Sequence, residues 1–133
     1  MKKILAIALV LVMMLSLVAC GNDSDADKVA AYVNKNKAVL LSSMEESFAG
    51  SSGLTCTSDI KAVGCGIVID ININELDNVD ASVKATLQET YDSMSGYFDI
   101  MLTSLQKELP EVDSITININ EIDGDPVASI KAD

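Results

Sequence analysis

Ile67-Val68-Ile69-Asp70-Ile71-Asn72-Ile73-Asn74 decides the fold of this chain. Isoleucines recur at every second position, with Val68, Asp70, Asn72 and Asn74 between them. Successive side chains of a strand point to opposite faces, so this period predicts a strand with one apolar face and one polar face. The stretch Ile115-Thr116-Ile117-Asn118-Ile119-Asn120 has the same period.

Working upstream, Gly64-Cys65-Gly66 marks a turn, and a partner strand is expected from about Leu54 to Ala62. With Gly64 and Cys65 as the two loop residues, Ile60 faces Ile69, Ala62 faces Ile67 and Cys56 faces Ile73. A turn at Cys65-Gly66 keeps the same parity. Downstream, strands are expected over Ser114–Ile122 and Val127–Ala132, joined at Asp123-Gly124. A two-residue turn there sets Ile117 opposite Ile130, Ile119 opposite Ala128 and Ile115 opposite Ala132. Pro126 beside the turn places the fourth strand at a sheet edge.

Two helices flank these hairpins. The first is expected from Asp27 to about Ala49, capped by Asp25 or Asp27, with Val29, Val33, Leu40, Met44 and Phe48 as its apolar stripe. Asn34 and Asn36 are weak helix formers and invite a kink. The second is expected from Asp80 to Glu108, N-capped by Asp80 and stopped before Pro110. Its stripe runs Val83, Leu87, Tyr91, Met94, Phe98, Met101, Leu105. At 1.5 Å per residue it would reach ~43 Å, against ~27 Å for a strand, so it must overhang the sheet, bend, or break near Ser95-Gly96. The expected fold class is α+β, in the order α-β-β-α-β-β: a four-stranded sheet with two helices packed on one face. The second helix is a crossover, so the strands it joins are expected to be parallel. Asp70, Asn72, Asn74, Thr116, Asn118, Asn120, Ser129 and Lys131 then fall on a solvent-facing sheet surface.

The N-terminus carries an address. Lys2 and Lys3 precede an apolar run, Ile4 to Leu15, of the length of a secretory signal and short of the ~20 residues that span a bilayer. Leu17-Val18-Ala19-Cys20-Gly21 then reads as a lipobox. It predicts a lipoprotein signal peptide over 1–19, a lipidated tether over 20–26 beginning at Cys20, and a single domain over 27–133. Two acyl chains hold a protein stably to a membrane. Gly21 to Asp27 is polar, and seven residues reach at most ~25 Å, so the domain is expected close to the membrane.

Cleavage leaves 7 lysines against 20 acidic residues, a net charge of −13, and the whole chain has no arginine or histidine. A nucleic-acid partner needs a basic footprint, which is missing. Without histidine there is no Ser-His or Cys-His pair and no histidine metal site, so no enzyme activity and no cofactor are expected. A carboxylate pair such as Asp70 with Glu121 is the remaining route to acid–base chemistry, and a solvated sheet face would leave it ordinary. The clusters Glu75, Asp77, Asp80 and Glu121, Asp123, Asp125 raise a calcium reading, but the spacing of a calcium loop is absent and turn chemistry accounts for them.

Ile69–Asp77 (I-D-I-N-I-N-E-L-D) and Ile115–Asp123 (I-T-I-N-I-N-E-I-D) are nearly the same nine residues. The first copy ends its hairpin and the second begins its own, so they read as like requirements of two half-buried strands rather than a duplication. Once Cys20 is lipidated, two cysteines remain. Opposite ends of a hairpin put Cys56 and Cys65 ~25 Å apart, too far for a disulfide. Cys56 is expected to be buried and Cys65 exposed.

The lipobox, the V-A-A-Y-V segment (Val29 to Val33), and a first hairpin leading into V-D-A-S-V (Val79 to Val83) carry a resemblance. With the long helix before a proline and the C-terminal hairpin, the chain resembles a family of small Gram-positive lipoproteins built on a domain of unknown function. The resemblance implies a location and a fold, and no catalytic residues. The expected protein is a surface-exposed lipoprotein at the outer face of the cytoplasmic membrane, acting as a binding or scaffolding module for an envelope protein. The alternative is a small-ligand or calcium receptor domain.

Overall fold

The computed structural model describes residues 25–133. The signal segment, Cys20 and most of the tether lie outside the described residues. The elements are α1 (Asp25–Ser52), β1 (Cys56–Val63), β2 (Gly66–Ile73), α2 (Ala81–Ser93), α3 (Ser95–Glu108), β3 (Ser114–Asn120) and β4 (Pro126–Ala132). Three helices and a four-stranded mixed sheet make this an α+β fold. The sheet order is β1-β2-β3-β4, with antiparallel hairpins at both sides and β2 parallel to β3 in the middle.

The first hairpin has the expected register, from Cys56 opposite Ile73 to Val63 opposite Gly66. Gly64 has φ +60° and Cys65 does not share a positive φ, the pattern of a two-residue turn with glycine first. In the second hairpin Ile115, Ile117 and Ile119 face Ala132, Ile130 and Ala128 as expected, but the turn differs. Glu121 N–H donates to Asp125 O at 2.8 Å and Gly124 N–H to Glu121 O at 3.0 Å, leaving a three-residue loop, Ile122–Gly124. Gly124 takes φ +96°, the left-handed residue that such a loop requires. Asn120 pairs with Pro126, and a bulge next to it restores the register that a two-residue turn would have set.

Helix α1 is longer than expected. It takes in Asp25 and Ala26 from the tether and runs unbroken past Asn34 and Asn36. Asn36 is buried and donates to Tyr32 O at 2.8 Å, one turn back, so its amide is satisfied inside the helix. Gly53, at φ +71°, ends α1, with its N–H on Ala49 O at 3.0 Å.

The single expected helix over Asp80–Glu108 is two helices, which adds one element to the expected order. They meet at Met94, one residue before Ser95-Gly96. Met94 N–H bonds Tyr91 O and Tyr97 N–H bonds Met94 O, both at 2.9 Å, tighter turns that redirect the chain. Tyr91 and Phe98 meet across the junction with ring centroids 6.5 Å apart. Asp80 holds the N-cap position but its side chain makes no cap hydrogen bond.

One core unites these elements. Val29, Tyr32, Leu40, Met44 and Phe48 of α1, Tyr91 of α2 and Phe98, Met101 and Leu105 of α3 join Ile60, Ile67, Ile69, Ile71, Ile115, Ile117, Ile119 and Ile130. Burial pushes the Tyr91 phenol up to about 12, and burial with the nearby Glu108 charge does the same for Tyr32. At the N-terminal end of the α2 stripe Val83 is 46% exposed.

Candidate functional site

Asp70, Asn118 and Ser129 are cross-strand neighbours on β2, β3 and β4. They form a continuous polar row. Ser129 Oγ donates to Asn118 Oδ1 at 2.7 Å, and Asn118 Nδ2 donates to Asp70 Oδ1 at 2.8 Å. Lys61 of β1 reaches Asp70 Oδ2 at 3.4 Å, so the row crosses all four strands. A shorter row lies beside it, where Asn120 Nδ2 donates to Asn72 Oδ1 at 3.0 Å. Side-chain amides on adjacent parallel strands satisfy one another in this way because the strand spacing brings like positions together.

Thr57, Ser58, Asp59, Asp70 and Asn72 line a depression beside the longer row. Lys37 of α1 reaches Asp59 at 2.7 Å and holds its carboxyl below the ordinary aspartate range. The outward residues of β1, Thr57, Asp59 and Lys61, join the residues expected on this face. The alternation around Ile60 places them there by the same parity argument. Asn120 departs from expectation in the other direction: it is buried, at 9% exposure, rather than open to solvent. Asn74 falls beyond β2 and donates to Thr55 Oγ1 at 2.9 Å.

The acidic clusters divide. Glu75 follows β2 and accepts from Thr55 N–H at 3.0 Å and from its hydroxyl at 2.8 Å, which lowers the carboxyl's pKa. Glu121, expected in a solvated turn, is 3% exposed. It has the inward parity of Ile117 and Ile119, so it does not share a face with Asp70, and the acid–base pair of these two carboxylates does not assemble. Glu121 Oε1 accepts from Val79 N–H at 2.8 Å and from Lys84 Nζ at 3.0 Å. The Lys84 contact, then the Val79 hydrogen bond, hold this carboxyl below the ordinary glutamate range.

Among the described residues, Glu121, Asp123 and Asp125 bring carboxylate oxygens within 4.8 Å of one another. Asp123 Oδ1 also accepts Asp125 N–H at 3.1 Å, which is turn chemistry of the expected kind. Asp77 and Asp80 make no ion pair among the described residues.

Cys56 and Cys65 are both free, as expected from the hairpin register, and both are half-buried. The contrast expected from sequence, one buried and one exposed, is therefore corrected: Cys65 also packs against the core. Burial, then the charges of Glu45 and Glu75, push the Cys56 thiol up to about 11. Cys20, the expected lipidation site, lies outside the described residues. No helix among the described residues is long and apolar enough to cross a membrane. No protein family, curated protein or solved structure matches this chain.

Proposed function

We propose that this chain is a bacterial lipoprotein of the small Gram-positive family that it resembles. It is held by lipid on Cys20 at the outer face of the cytoplasmic membrane. Its domain binds or scaffolds another envelope protein and catalyses no reaction. In this reading both helical segments pack on the isoleucine face of the sheet, and the polar face is left for the partner.

The observation that carries the reading is the row Lys61–Asp70–Asn118–Ser129. Its side chains hold one another, so the face is rigid before any partner arrives, and a preorganised surface loses less entropy on binding. Acidity also fits the location. An anionic membrane repels a domain of this charge, which leaves the lipid as the attachment. Helix α1 begins five residues after Cys20, so its N-terminus stays within about 18 Å of the anchor.

The test has two arms. Cys20→Ala should abolish incorporation of labelled fatty acid and membrane retention, whereas continued labelling defeats the anchoring claim. A photo-crosslinking residue at Thr116 in the full chain should trap one stoichiometric envelope protein, and the same residue at Glu89 should not. Equal trapping at both positions removes the polar face from the reading.

A calcium receptor is the second reading, and the Glu121, Asp123, Asp125 trio favours it. Calcium takes six to eight oxygens, and here Lys84 already occupies Glu121. A thermal shift with millimolar calcium, abolished by Asp123→Asn, would decide for this second reading.

A further inference from the structure

The acidity of this chain is uneven. On the polar sheet face Asp59 and Asp70 are met by Lys37 and Lys61. At one end of the sheet no such balance holds. Residues 75–84 and 121–125 carry six carboxylates and one lysine. That lysine, Lys84, is engaged by buried Glu121. Glu75, Asp77, Asp80, Asp123 and Asp125 are exposed, and no lysine among the described residues pairs with them. Three contacts hold this end together as one surface. Val79 N–H and Lys84 Nζ donate to Glu121 Oε1 at 2.8 Å and 3.0 Å, and Ile122 N–H donates to Leu76 O at 2.9 Å.

The same end carries apolar side chains in water. Val83 and Ile122 are the sequence neighbours of Lys84 and Glu121, and they are 46% and 51% exposed. Val83 and Leu87, with Ser82 and Thr86, line a shallow depression of about 260 Å³. Exposed apolar groups with a polar rim mark a contact surface. We infer that this end of the sheet docks a basic segment of a partner protein, one that carries lysine or arginine around one or two apolar side chains.

Charge complementarity names that occupant. A patch this acidic attracts a cationic chain and repels an anionic one, and its apolar groups favour a chain that brings more than charge. A single metal ion fits less well. The five exposed carboxylates are spread over two loops and the start of α2, and the one trio that converges includes Glu121, which Lys84 already neutralises. A segment with charges spaced along it meets carboxylates so spread. The surface is also open to a partner. Lys28, near the start of α1, reaches Glu111 at 2.8 Å, and Glu111 precedes β3. The N-terminus of α1 therefore lies by the start of β3, while Glu121 and Ile122 follow its end, seven residues or ~23 Å away. The docking end is separate from the polar sheet face and does not depend on anchoring at Cys20, so its failure leaves both of those readings in place.

The experiment uses the full chain in phosphatidylcholine nanodiscs, with empty nanodiscs as the blank and EDTA throughout. The probe is a fluorescent peptide, K-K-L-K-L-K-K, followed by anisotropy. It should bind saturably, and the peptide K-K-S-K-S-K-K should bind about tenfold more weakly, the scale of losing two buried apolar side chains. Asp77→Asn, Asp80→Asn and Asp125→Asn together should weaken binding about tenfold, the scale of three exposed ion pairs. Val83→Ser with Ile122→Ser should weaken it by a similar factor. Removing as many charges elsewhere, by Glu46→Gln, Glu89→Gln and Asp99→Asn, should change it by less than about twofold, because salt screens distant charges. Equal losses from the two charge triples would mean attraction to net charge alone and would overturn the inference. Equal binding of the two peptides, no saturable binding, or binding that requires calcium in place of EDTA would overturn it as well.

Discussion

Asn118 Nδ2 donates to Asp70 Oδ1 at 2.8 Å, although the sequence likeness of the two nine-residue stretches aligns Asn118 with Asn72. The copies lie side by side on parallel strands, offset by two residues, with Ile69 opposite Ile117 and Asn72 opposite Asn120. An even offset preserves the faces, so both isoleucine sets stay in the core while the polar partners change. The meeting of Asn118 with Asp70, and of Asn120 with Asn72, results from that offset.

The first prediction concerns this face. Asn118 is held by two side-chain hydrogen bonds, so Asn118→Ala should cost about 1–2 kcal/mol rather than behave as a free surface change. Lys131→Gln, at an exposed position, should stay within about 0.5 kcal/mol, and Ile117→Ala should cost roughly 2–5 kcal/mol. Urea titration gives the three values, and the ranking Ile117, Asn118, Lys131 is the result to check.

Two glycines of one helix should respond in opposite directions. Gly50 lies inside α1 with open space where a Cβ would project, so Gly50→Ala should stabilise the domain by about 0.5–1 kcal/mol. Gly53 sits at φ +71° just after the helix, so Gly53→Ala should destabilise it by about 1 kcal/mol. Thermal melts of both variants against the parent measure the contrast.

Acid should loosen the contact between Glu121 and Lys84. The folded carboxyl titrates below its ordinary value, so its stabilising effect is complete above the ordinary glutamate pKa. That effect is lost as pH falls through the depressed value. Glu121→Gln should flatten this acidic limb, and Lys84→Met should move the Glu121 titration upward. Carbon-detected NMR of the glutamate carboxyl follows the shift, and an unmoved titration in Lys84→Met would remove the ion pair as its cause.

The thiols should both be free, and Cys56 should be the slower to react. With the Cys56 pKa pushed up to about 11, its thiolate fraction at neutral pH is small, and alkylation should speed about tenfold per pH unit below that value. Intact mass after iodoacetamide should show both cysteines modified on unfolding without reductant. A mass two daltons light, with no uptake at either, would mean a disulfide and a wrong register for the first hairpin.

The strand register was legible in the chain because alternation leaves few choices. Ile60 and Ile69 meet, and Ile117 and Ile130 meet, because a slip of one residue would turn every isoleucine to water. The helical crossover made β2 and β3 parallel, while their adjacency in the sheet was decided only by the tertiary structure. Local chemistry did not reveal that the second hairpin closes with a three-residue loop and a bulge, two departures that cancel in register. Nor did it reveal that Glu121 is buried. Its neighbours Asp123 and Gly124 read as a solvated turn, and its partners Val79 and Lys84 lie about 40 residues away in sequence. The break at Met94 was half legible: Ser95 and Gly96 mark a weak place, but only the packing of Tyr91 and Phe98 decides that the chain turns there. Periodicity reports which side of an element is apolar, and that is a local property of the chain. Which polar group meets which depends on the two-residue offset between strands and on loops brought together from distant positions, and these exist only once the core has formed.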